Sequence, residues 1–172
     1  MARKESGVFS KEYTFKGCHA ERVKALNAKF GKGNLQLFKR NVDVYMIAPI
    51  VGFCYQRRAN PDGTPNAETT KIFPEQLIAN KDSLWFAYRL IMLLDKKHEK
   101  SFEERVNKAF RDYGKAEAEG DELLFDSYVL GGVDLLYEKL LGKGHSEEDY
   151  INNLYEFLSD FNERYYTTAE NI

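Results

Sequence analysis

The sequence predicts an all-α fold: a single-domain bundle of about six helices spanning residues 1–172, with residues 1–17 as a short strand or extended arm. Three observations carry this expectation. From Leu84 onward the apolar residues recur at helical spacing, in stripes such as Leu84, Tyr88, Ile91 and Leu94. Helix-start signals stand ahead of two of those stripes. The chain of 172 residues, 43% hydrophobic and 30% charged, is also long enough to bury a core without staples.

Taken in order, "VFSKEYTFKG" alternates apolar and polar residues and reads as extended. A helix is expected from about His19 to Phe30, closed by Gly31. A second begins near Asn34 and contains Pro49, which removes a backbone hydrogen bond and should kink it near Tyr45 to Ala48. Its apolar residues lie on more than one face, as in a central helix. Residues 59–73, with Pro61, Gly63 and Pro65, read as a polar loop, and Pro74 opens a short helix. Asp82 or Ser83 is placed to cap the next helix, whose stripe has Trp85 and Met92 beside it. Ser101 with Glu104 forms a capping box ahead of the stripe Phe102, Val106, Ala109, Phe110 and Tyr113. Ser146 with Asp149 repeats that pattern before Ile151, Leu154, Leu158, Phe161 and Tyr165, after a "GKG" turn at 142–144.

The helix from Asp121 to Leu141 contains Gly131 and Gly132, each costing a helix interior about 1 kcal/mol relative to alanine. Gly132 falls on the buried stripe of Phe125, Tyr128, Val129, Leu136 and Leu140, with Gly131 beside it. The pair therefore marks close packing of another element or a kink, with a gap facing a ligand as the alternative.

Charge is divided unevenly. Residues 1–58 carry a balance of +8 and the remainder −10, which implies an anionic partner or a basic and an acidic face within one assembly. Lys24, Lys29, Lys32, Lys39 and Arg40 bracket the "KFGKGN" turn, Arg57 and Arg58 end the next helix, and Phe30 and Phe38 are interleaved with the first group. Such a set can neutralise phosphates, dock a protein, or meet the chain's own acidic half.

Specific chemistry is sparse. His19, His98 and His145 are scattered and no metal-ligand spacing is present, so neither a metal nor a cofactor is expected. Cys18 and His19 are adjacent on a helix, where neighbours point about 100° apart, so a capping or surface role is expected for them. "GKGN" and "GKGH" read as helix ends, with phosphate loops as the alternative. The acids of "SFEERVNK", "KAEAEGDE" and "HSEED" fall in first turns or on solvated faces. Two unpaired cysteines and no membrane-length apolar run imply a cytoplasmic protein with no membrane partner.

Two stretches, "NVDVYMIAPIVGFCYQRR" and "FDSYVLGGVDLLYEKL", together resemble small helical proteins encoded near bacterial DNA phosphorothioation (Dnd) and related defence clusters. The resemblance covers about a third of the chain and brings no catalytic motif. It implies an accessory protein alongside DNA-handling machinery in antiviral defence. The expected function is thus non-enzymatic, assembling with itself or with a larger effector; the alternative is sequence-nonspecific DNA or RNA binding through the basic half.

Overall fold

The computed structural model describes residues 9–115 and 118–166. Their order is β1 (Tyr13–Lys16), α1 (Cys18–Leu26), α2 (Asn41–Cys54), β2 (Thr69–Ile72), α3 (Pro74–Ala79), α4 (Lys81–Leu94), α5 (Phe102–Phe110), α6 (Glu119–Leu140) and α7 (Glu147–Tyr166). The chain is mostly helical but not all-α. β1 and β2 form an antiparallel ribbon, Tyr13 opposite Ile72 and Lys16 opposite Thr69. The strand reading of the N-terminal segment thus holds for Tyr13–Lys16, while the rest of the alternation, Val8, lies outside the described residues. The partner strand comes from the expected polar loop, whose "TTKI" has β-branched residues on either side of the lysine.

α2 and α6 are the central pair, and one buried cluster surrounds them. The ribbon contributes Phe15 and Ile72 to it. Edge-to-face rings knit its upper part: Phe9 lies 5.0 Å from Trp85 and 5.8 Å from Phe125, and Phe15 lies 6.2 Å from Tyr45.

Three helix boundaries differ from expectation. α1 stops at Leu26 because the Asn27 amide donates to Asn41 (2.7 Å) and the Asn27 carbonyl accepts from Gln36 (2.9 Å), which turns the chain away. Residues 27–40 then form a loop clasped by the Phe30–Leu35 bridge, with Gly31 and Asn34 at positive φ. α2 starts at Asn41 rather than Asn34, where the Asp43 carboxylate accepts the Arg40 N–H at 2.9 Å. It stays helical through Pro49, which is itself buried. α4 follows α3 with only Asn80 between them, so Asp82 and Ser83 lie inside the helix and neither caps it.

The Ser146 capping box is complete, while the Ser101 one is half made, since the Ser101 N–H donates to Glu99 at 3.0 Å and not to Glu104. Ser101 Oγ accepts the Glu104 N–H at 3.3 Å. Ser146 Oγ accepts the Asp149 N–H at 3.1 Å while the Asp149 carboxylate accepts the Ser146 N–H at 3.0 Å. Pro74 occupies the first turn of α3.

Candidate functional site

The glycines of α6 sit where two main chains press against it. A Cβ on Gly132 would stand 1.8 Å from the Ala48 carbonyl oxygen of α2, and one on Gly131 would stand 2.2 Å from the Arg57 carbonyl oxygen. Gly52 of α2 reciprocates, since its Cβ would meet the Tyr128 carbonyl oxygen at 2.2 Å. Ala48 and Gly52 on α2 thus face Tyr128 and Gly132 on α6, each pair one helical turn apart. α6 remains one continuous helix through the glycines.

Gly131 has a separate consequence. By admitting the main chain of residues 57–58, it seats a cleft of about 660 Å³ beyond the end of α2. The Ala59 N–H donates to the Ser127 carbonyl at 3.0 Å and Arg57 pairs with Glu138 at 2.8 Å, so the segment is fixed on both sides. Gln56, just before it, holds a left-handed φ of 54°. The Arg58 guanidinium lies 5.9 Å from the centre of the Tyr128 ring. The Tyr128 hydroxyl donates to Asp95 Oδ2 at 2.8 Å, and Asp95 Oδ1 accepts the His98 N–H at 3.1 Å. Burial, then the Asp95 carboxylate, pushes the Tyr128 phenol well above its ordinary value, so it remains a donor.

The basic set expected from sequence is dispersed by the fold. Lys24 pairs with Glu68, Arg40 with Asp43 at 2.6 Å, and Arg57 with Glu138. Arg58 belongs to the cleft. Lys29, Lys32 and Lys39 are exposed in the loop between α1 and α2 and make no ion pair among the described residues. Phe30 of that loop stacks edge-on against Tyr150 at 5.1 Å, which places Lys29 and Lys32 beside the start of α7. Phe38 packs on the core. Neither Gly-Lys-Gly turn presents a free helix start: no helix begins within six residues of Asn34, and Asp149 occupies the start of α7, where its carboxylate also accepts the His145 N–H at 3.1 Å.

α7 departs from its expected packing. It turns Asn153 and Phe157 into the protein, with Leu154 packed beside them. Ile151 and Leu158, expected to be core, are 51% and 57% exposed, and Tyr155 between them is 73% exposed. At about 100° per residue, these three fall within an arc of about 60°. The helix is also pinned to the end of α2: the Tyr55 hydroxyl donates to Asp160 at 2.7 Å and the Tyr165 hydroxyl to the Cys54 carbonyl at 2.8 Å. Its exposed apolar stripe is therefore held in place, not frayed.

Cys18 and His19 are closer than the helical spacing of neighbours implied. Cys18 is the first residue of α1, where the chain still bends, and its Sγ lies 3.7 Å from His19 Nδ1. His19 Nε2 lies 3.2 Å from Asp134 Oδ1, and Arg22 donates to the same carboxylate. Burial raises the Cys18 thiol, Arg22 opposes that, and Asp62 reinforces it. The Asp62 carboxylate also accepts the Cys18 N–H at 2.9 Å, filling the end of α1. The group is a tie between α1 and α6, with a protonated thiol at its edge.

No family model, curated protein or solved structure matches this chain. Among the described residues no group of three or more His, Cys, Asp or Glu side chains is gathered to hold a metal, and no helix is long and apolar enough to cross a membrane.

Proposed function

We propose that the chain is a non-enzymatic assembly subunit that pairs with a second copy of itself through the exposed face of α7, in the defence-related, DNA-handling setting that the resemblance implies. The observation that carries this reading is the stripe Ile151, Tyr155, Leu158 on a helix already packed through Asn153 and Phe157 and pinned to the end of α2. Three large apolar side chains exposed in register on one rigid helix cost solvation unless something covers them.

A second copy fits the symmetry of the stripe. It is nearly symmetric about Tyr155, so two antiparallel α7 helices would set Ile151 of each against Leu158 of the other, with the Tyr155 residues meeting at the two-fold axis. Nucleic-acid binding has less support, because three of the seven basic residues, Lys24, Arg40 and Arg57, already hold carboxylates of this chain.

Sedimentation equilibrium of the wild type beside Leu158→Glu tests the proposal. The expected result is a wild-type dimer and a monomeric, equally folded variant, since Leu158 lies on the exposed stripe. A wild type that stays monomeric up to its solubility limit, or a dimer that the substitution leaves intact, would overturn it.

A further inference from the structure

The cleft beside Gly131 is lined by none of Ile151, Tyr155 and Leu158, and its chemistry is that of an anion site. We propose that it binds a phosphomonoester of nucleoside size, with Arg58, Lys97 and His98 receiving the phosphate.

All three line the cleft, and their side chains make no ion pair among the described residues. That distinguishes them from Arg57, one residue away, which is spent on Glu138. The acid in the wall offsets only one of them. Asp95 is only 4% exposed, and both its oxygens are engaged, one by the Tyr128 hydroxyl and one by the His98 main-chain N–H. It acts as a strut: it fixes Tyr128, over which Arg58 lies, and it fixes the main chain that presents His98. Two permanent cations against one carboxylate leave a net positive wall for a phosphomonoester, and the guanidinium supplies paired donors for its oxygens.

The volume argues for more than a phosphate. About 660 Å³ lies in the middle of the range of small-molecule sites and far exceeds one phosphate group. Gln56 and Asn60 line the rest: the Gln56 amide donates to the Phe53 carbonyl at 2.8 Å, which fixes it with its oxygen left to accept, and the Asn60 amide can both donate and accept, as the edge of a nucleobase requires. One face of the Arg58 guanidinium rests toward the Tyr128 ring, and the other can take a stacked base. The left-handed φ of Gln56 ends α2, with the Gln56 N–H donating to the Phe53 carbonyl at 3.0 Å and the Arg57 N–H to the Gly52 carbonyl at 2.7 Å, and this turn sets the wall of the cleft.

Isothermal titration of the full chain at low salt with AMP, CMP, adenosine and inorganic phosphate tests the assignment, beside Lys97→Gln and Arg58→Gln. Lys97 is exposed, so its substitution leaves the fold intact, and melting temperatures of both variants check this. The expected result is saturable 1:1 binding of a nucleoside monophosphate, about tenfold tighter than adenosine or inorganic phosphate and about tenfold weaker in each variant. Absence of saturable binding, or binding unchanged in both variants, would overturn the site. Inorganic phosphate binding as tightly as the nucleotides would overturn the nucleoside-sized ligand in favour of free phosphate.

Discussion

At Gly132 one added methyl group would meet the Ala48 carbonyl of a neighbouring helix, and backbone cannot swing aside as a side chain can. Alanine there should therefore cost at least the upper end of the about 1–3 kcal/mol typical of overpacking, although alanine is the better helix former. Gly120, in the first turn of the same helix with nothing within 4 Å of its Cβ position, supplies the comparison. Urea denaturation should find Gly132→Ala strongly destabilised and Gly120→Ala unchanged or slightly more stable. Equal effects at the two positions would contradict the close-approach account. The burial of Gly132 was legible because the apolar stripe of α6 runs through it. Its neighbour across the seam, Gly52, went unread: it follows a proline within an all-apolar helix, where no stripe singles out one face.

Elements were legible where their determinants are local. The starts of α5 and α7 follow from a serine and an acid three residues apart, and both hydrogen-bond as that spacing requires. The end of α1 and the start of α2 were not legible, because the Asn27–Asn41 contact joins residues 14 apart and competes with local helix propensity. The β1–β2 ribbon pairs residues more than 50 positions apart, which no window of sequence contains. The tie of α1 to α6 is likewise non-local, and it makes a pH-dependent prediction. Burial alone would raise the Asp134 carboxyl, but the hydrogen bond and charge of His19 together with the Arg22 guanidinium bring it below its ordinary value. A depressed carboxylate stabilises the fold above the unfolded value of about 3.9 and loses that contribution as pH falls through the folded value. Wild type should thus melt higher than Asp134→Asn at neutral pH, with the gap closing only below about pH 4. Thermal melts of both proteins across that range check it, and a gap that persists unchanged into acid would contradict the tie.

Over the whole molecule, the uneven division of charge is settled internally in part. Basic groups of the first half meet acids of the second at Arg57–Glu138, Arg22–Asp134 and Lys24–Glu68, while Lys29, Lys32 and Lys39 of the 27–40 loop and Arg58 at the cleft make no ion pair among the described residues. Sequence identified Arg57 and Arg58 together but could not separate them, since their different roles depend on which side of the Gly131 contact each side chain leaves. Nor could it find the α7 face. Ile151 and Leu158 share helical spacing with Leu154, and only the packed fold decides that Asn153 and Phe157 turn inward instead. That outward stripe is the basis of the proposed assembly, and its geometry is specific enough to test directly. In a Cys18→Ser, Cys54→Ser background, Tyr155→Cys should form an intermolecular disulfide under mild oxidation, because a two-fold axis at this position brings the two Cα atoms within the roughly 4.4–6.8 Å that a disulfide spans. Glu103→Cys, on the exposed surface of α5, should remain monomeric under the same conditions. A Tyr155→Cys protein that stays monomeric, or one that cross-links no faster than Glu103→Cys, would contradict self-assembly through α7.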